Sequence, residues 1–166
     1  MTRTTGTEVS GQQSLNERMG DYRSVADLVR GVMVQSTVLS RDHMEQVART
    51  YLVSYLDADL EKRAALFSDD ATFEDPVGST PLRGIAEIVK FWQGAKDIRW
   101  WAAHDVRRVV VCGNEVLLHF VSTMKVPGLT TARMEVYEVQ AFNAAGKISS
   151  VKAYFDADCL SDQSPA

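Results

Sequence analysis

The chain has 166 residues, 45% of them hydrophobic and 24% charged, with a formal net charge of −4; a chain of this length suits one domain with a real core. Its mild acidity, with no cluster of four or more lysines and arginines, argues against a nucleic-acid partner. Cys112 and Cys159 have no CxxC spacing, the N-terminus carries no apolar run of the signal-peptide kind, and no stretch approaches roughly 18 apolar residues, so a soluble cytoplasmic protein away from the membrane is expected.

Residues 1–20 are rich in Thr, Ser, Gly and Gln and bury too little to offset their ordering entropy, so this segment is expected to be loose. From Asp21 the spacing of Tyr22, Val25, Ala26, Val29, Val32 and Met33 predicts an extra helix within residues 21–40. Ser40 reads as an N-cap, and Met44, Val47, Ala48, Tyr51, Leu52, Tyr55 and Leu56 form the stripe of a four-turn helix. A second short helix is expected from Asp57 or Asp59 through Phe67, then a turn at Asp69-Asp70 and a short strand, Thr72–Asp75. Pro76, Gly78 and Pro81 mark a loop, and Ile85, Ile88, Phe91 and Trp92 give a third helix from about Gly84 to Ala95.

The remainder reads as strands: Ile98–Cys112, Glu115–Val126, Thr130–Phe142 and Lys147–Asp156, separated by turns at Gly113-Asn114, Pro127-Gly128 and Asn143–Gly146. The tail from Cys159 to Ala166 is small and polar, and is expected to be flexible. Helices first and a long meander afterwards predict an α+β domain over residues 41–158, a curved antiparallel sheet closing as a cone over three helices around an internal pocket.

Alternation along Thr72–Asp75 places Phe73 and Asp75 on one face, and the apolar Phe73 should carry Asp75 inward. A carboxylate beside an apolar interior has its proton affinity raised, which suits proton transfer near neutral pH. The alternative is that Asp75 only caps the loop that follows. Tyr51 lies on the inward stripe, where its hydroxyl either donates to a developing oxyanion or merely completes a core aromatic. On the strand carrying Glu138, Val136, Gln140 and Phe142 share its face, but both faces are partly apolar, so parity leaves its direction open. His43, His104 and His119 match no zinc spacing, and no metal or cofactor is implied. No GxSxG, P-loop or GxGxxG occurs.

Two segments, ALFSDDATFEDPVGS (residues 65–79) and FNAAGKISSVKAYF (residues 142–155), resemble the bacterial ketosteroid isomerases, and the likeness runs from about Met44 to Asp156. The resemblance implies the nuclear transport factor 2-like cone, a fold that also hosts SnoaL-like polyketide cyclases, dehydratases, epoxide hydrolases and non-catalytic binders. It places Asp75 on the family's proton-shuttling base, Tyr51 on its oxyanion tyrosine and Glu138 on its acidic oxyanion donor, one methylene longer than the usual aspartate. It also implies an apolar pocket lined by Phe67, Leu118, Phe120, Met124, Gln140, Phe142 and Phe155 and bordered by Trp92. Trp92 stands where many members have a supporting tyrosine, so a thinner network behind Tyr51 is expected. The implied substrate is an apolar carbonyl compound, steroid or polyketide. The leading expectation is a cofactor-independent isomerase. The alternatives are a polyketide-tailoring cyclase or epoxide hydrolase using Asp75 and Glu138 as an acid/base pair, and a non-catalytic binding module. A homodimer through the outer sheet face, at Leu117, His119 and Val121, is implied as well.

Overall fold

The computed structural model describes residues 23–32, 38–57 and 59–163; the segment 1–20, expected to be loose, lies outside them. The chain divides into two units, Met1–Val34 and Gln35–Ala166. In the first, helix α1 (Val25–Val32) starts where the Asp27 N–H donates to Ser24 Oγ, and Arg30 pairs with Asp27 at 2.9 Å. Tyr22 and Met33, the ends of the predicted stripe, lie outside the described residues.

The second unit opens with α2 (Arg41–Val53), capped by Ser40, whose side chain accepts from the His43 N–H. Met44, Ala48, Tyr51 and Leu52 form its buried stripe. Helix α3 (Leu60–Ala64) is capped by Asp59 and stops before Phe67, which begins strand β1 (Phe67–Glu74). Asp69 and Asp70, expected to form a turn, sit inside that strand. Its register with the neighbouring strand slips between Phe67 and Thr72, and the irregularity lets two consecutive acids face solvent without ending the strand. Then come β2 (Leu82–Arg83), α4 (Ile85–Asp97), β3 (Trp101–Cys112), β4 (Glu115–Lys125), β5 (Ala132–Phe142) and β6 (Ile148–Tyr154).

One curved sheet runs in the order β2-β1-β6-β5-β4-β3. The meander β3-β4-β5-β6 is antiparallel as expected, whereas β1 lies parallel to β6, so the sheet is mixed. The tail expected to be flexible from Cys159 carries a further strand, β7 (Leu160–Asp162), which pairs with β5 at Ala132–Met134. Strand β4 alternates cleanly, with Val116, Leu118, Phe120, Ser122 and Met124 inward. Of these, Val116, Leu118 and Phe120 join the helix stripes and Phe73, Ile88, Trp92, Ile148 and Val151 in one core.

The turn between β5 and β6 is tied to α2 by His43, whose ring Nε2 lies 3.1 Å from the Gly146 carbonyl oxygen. Gly146 has a φ of +77°, and a Cβ there would collide with the His43 imidazole. Gly128, with a φ of +85°, has open space around it. Gly128→Ala should therefore cost only the left-handed backbone strain of about 1–2 kcal/mol. Gly146→Ala should lose more, because the His43 hydrogen bond goes as well. Urea unfolding of the two variants checks this; equal losses would contradict it.

Candidate active site

Tyr51 lies in the last turn of α2 and Tyr55 one turn further on, so the two phenols fall side by side. Their hydroxyl oxygens are 2.8 Å apart and their rings meet edge to face at 5.4 Å. The network behind Tyr51 is therefore not thin, because Tyr55 supplies the second phenol. Phe67 and Trp92 pack their rings against Tyr51 at 5.5 and 6.5 Å, and hold it in place. Burial pushes both phenols well above their ordinary range.

Asp75 follows β1, immediately before a cis peptide bond to Pro76. The loop is capped by its neighbour: the Gly78 N–H donates to Glu74 Oε1 at 2.8 Å. Asp75 itself makes no hydrogen bond among the described residues, and burial alone raises it from the ordinary carboxylate value to about 6.

Glu138 points inward from β5 and is 4% exposed. Gln140, two residues along the same face, donates Nε2–H to Glu138 Oε1 at 2.7 Å. Burial raises Glu138 to about 8; the Gln140 bond works against this rise and the Asp75 charge adds to it. At neutral pH Glu138 thus holds a proton while Asp75 is largely ionised.

Tyr51, Tyr55, Asp75 and Glu138 all line one cavity of about 90 Å³, with Phe120, Met124 and Phe155 on its apolar walls. A larger cavity of about 510 Å³ meets it at Tyr55, Asp75 and Trp100 and takes in Trp92. Of the predicted lining, Phe67, Leu118, Gln140 and Phe142 belong to the solid core instead. The inward faces of β4 and β5 pass from cavity to core along their length. Met124, Ser122 and Phe120 line the space and Leu118 does not; Met134, Val136 and Glu138 line it, and Gln140 and Phe142 do not. Alternation assigns a face but not how far along it the helices close down.

Three further residues were not assigned to the site from sequence. Arg63 of α3, 4% exposed, donates Nε–H to Ser54 Oγ at 2.9 Å and Nη2–H to the Ser54 carbonyl at 2.8 Å. Its guanidinium lies 3.6 Å over the Tyr55 ring and 5.0 Å from the Trp92 ring. His104 lines the inner cavity between Tyr55 and Phe120, with ring centroids at 4.9 and 5.0 Å. Burial, helped by Arg63, lowers it to about 4, so its ring is neutral. Trp100 lines both cavities. Ala102 and Val106 alternate with His104 on β3, a signal that could have placed it inward; Arg63, on a five-residue helix, carried no such signal. Among the described residues no group of three or more His, Cys, Asp or Glu could hold a metal ion, and no helix is long and apolar enough to cross a membrane.

With this geometry in view, comparison with known proteins finds that residues 48–151 match the SnoaL-like domain. The chain belongs to the SnoaL-like family. Over 95 residues it is 34% identical to a steroid Δ-isomerase of Nocardioides simplex, covering 55% of this chain and 72% of that protein. Among solved structures, this SnoaL-like chain is similar to the epoxide hydrolase/cyclase-like enzyme SalBIII of salinomycin pyran-ring formation. The TM-score is 0.67 at 17% identity, over 75% of this chain and 98% of that one. An epoxide hydrolase of M. tuberculosis, described as LEH-like, gives a TM-score of 0.64 at 19% identity, over 71% of this chain and 86% of that one. These two likenesses concern the fold. The SnoaL-like scaffold thus has relatives among both isomerases and cyclase/epoxide hydrolases.

The raised Glu138 has a consequence for stability. Between its ordinary value of 4.5 and about 8, the folded protein keeps a proton that the unfolded chain has released. Stability should therefore fall as pH rises through that window, by on the order of 1 kcal/mol per pH unit. Glu138→Gln should flatten this decline in urea midpoints measured from pH 5 to pH 8. Parallel declines in the two proteins would contradict the assignment.

Proposed function

We propose that the chain is an isomerase of the ketosteroid type, in which Asp75 carries a proton between two carbons beside a carbonyl. The observation that carries this reading is one apolar cavity holding an ionisable Asp75 near 6, a protonated Glu138 near 8 and a hydrogen-bonded phenol pair. Two titratable groups pushed apart by their surroundings are the signature of an acid and a base with divided roles.

The carbonyl end of an apolar substrate enters the inner cavity, which has room for only a few atoms, while its body occupies the larger one. The latter falls within the roughly 300–1,000 Å³ usual for small-molecule sites. Asp75 takes the proton from the carbon between the carbonyl and the double bond. Tyr55 donates its O–H to Tyr51, which frees the Tyr51 O–H for the enolate oxygen; Glu138, its Oε1 already taken by Gln140, donates from Oε2. Asp75 then returns the proton to the far carbon, and the double bond moves into conjugation. The reaction asks for no cofactor, since the proton leaves one substrate carbon and returns to another by way of Asp75, with no change of oxidation state.

A second reading draws on the same pair. Glu138 protonating an epoxide oxygen while Asp75 deprotonates the nucleophile would make a polyketide-tailoring cyclase or epoxide hydrolase, and the longer, neutral acid at position 138 favours it. A non-catalytic binding module would hold ligand without turnover. A homodimer is also part of the proposal. Leu117 is 40% exposed on the outer sheet face, beside His119, which stacks on Tyr137 at 4.5 Å and meets Glu135 at 2.6 Å.

Conversion of a Δ5-3-ketosteroid to its Δ4 enone, followed by absorbance, tests the central reading. Asp75→Asn should lower kcat by at least about 10²–10⁴-fold, and Tyr51→Phe by about 10²–10³-fold. The profile of kcat/KM should be bell-shaped with limbs near pH 6 and pH 8. Glu138→Gln, which can donate but not ionise, should lose the upper limb and keep the lower. Turnover of an epoxide but not of the enone precursor would install the second reading. Binding indifferent to Asp75→Asn, with no product, would install the third. For the dimer, sedimentation should show two copies in the wild type and one in Leu117→Lys; a monomeric wild type contradicts it.

A further inference from the structure

Arg63 is a buried cation with no carboxylate of its own. Among the described residues it forms no ion pair, and its hydrogen bonds go to the neutral Ser54 through Nε and Nη2. Among the described residues Nη1 has no hydrogen-bond partner. A buried charge is costly unless it is paired, and the Tyr55 and Trp92 rings offset only part of that cost. Arg63 lines the larger cavity, where Lys90 and Lys96 of α4 join it, and Asp75 at the junction with the inner cavity is, among the described residues, the one acid on the wall. Trp92, on the same wall, has its Nε1–H buried with no hydrogen-bond partner among the described residues. The larger cavity thus has donors and positive charge in excess of acceptors, on walls otherwise apolar from Phe91, Ile98 and Trp100.

We propose that the larger cavity is an anion subsite, in which Arg63, helped by Lys90 and Lys96, binds a carboxylate at the end of the substrate remote from its reacting carbonyl. The inference rests on the proton-transfer reading for which end of the substrate reacts, and it deepens that reading by naming the substrate class: a flat apolar ketone that is also an acid. The guanidinium is already oriented by Ser54 and by the face of Tyr55, so little ordering remains to be done when the anion arrives. The carboxylate would neutralise the buried cation, and the ring body would cover the aromatic wall.

Binding, read from tryptophan fluorescence, tests this without any turnover. Two probe pairs bracket the reach between carbonyl end and anion: 6-hydroxy-2-naphthoate against 2-naphthol, and 3-oxoandrost-4-ene-17β-carboxylate against its methyl ester. The wild type should bind the acid of at least one pair about tenfold or more tighter than the neutral compound. Arg63→Gln should abolish that preference while leaving the affinity for the neutral compound within a few-fold. Should Arg63→Gln fail to fold, Lys90→Ala combined with Lys96→Ala, both at exposed positions of α4, takes its place and should lower the preference about two- to threefold. Equal affinities in both pairs, no binding of any probe, or a preference that the folded variant leaves untouched overturns the proposal. The two readings fail separately: an inactive protein that still prefers the acids keeps the subsite and loses the isomerase. Efficient turnover of neutral ketones with no preference for acids does the reverse.

Discussion

Loss of water around two carboxyl groups is the constraint on which the rest of this site depends. Among the described residues Asp75 has no hydrogen-bond partner, and burial is the cause of its raised proton affinity. Glu138, deeper still, rises further for the same reason, and the Asp75 charge adds to the rise. Solvated, both would be ionised at neutral pH, and the cavity would hold two like charges and no acid. Desolvated to different depths, they separate into a base and a hydrogen-bond donor. The same loss of water keeps the Tyr51 and Tyr55 phenols protonated.

The fold supplies that dryness unevenly along one surface. The inward faces of β4 and β5 are continuous, yet one end packs solid around Leu118, Val116 and Phe142 while the other opens around Phe120, Met124 and Met134. The solid end contributes the stability that the open end, with its buried polar groups, gives up. Arg63 lines the larger cavity beside Tyr55, which borders both cavities. It braces the end of α2 through Ser54, lies against Tyr55, and helps keep His104 neutral. One cation thus links the helix end, the phenol pair and the larger cavity.

Much of this was legible in the sequence, for reasons that can be named. Ser40 and the i, i+3, i+4 stripe fixed α2 and turned Tyr51 inward, and alternation carried Asp75 in behind Phe73. Parity could not choose a face for Glu138; its neighbours Val136, Gln140 and Phe142, all buried, make the choice in the folded chain. Asp69-Asp70 imitated a turn because two adjacent acids normally break a strand pattern, and only pairing with β6 absorbs them. The resemblance implied Phe67 and Leu118 as pocket lining, and the depth at which a sheet meets its helices, which decides against them, is not readable from residue type and face. Arg63 was passed over because an arginine on a short helix reads as solvated, and its burial is decided by Ser54 and two aromatic rings distant in sequence or conformation.

The most direct measurement of the central claim is the ionisation of each acid by itself, read from carboxyl carbon NMR of protein labelled at Asp and Glu and assigned with Asp75→Asn and Glu138→Gln. The account predicts that the Glu138 carboxyl stays protonated through neutral pH and titrates near 8, while Asp75 titrates near 6. Two resonances that both titrate near the ordinary carboxylate values would mean that water reaches the cavity, and the division into base and donor would fail with it.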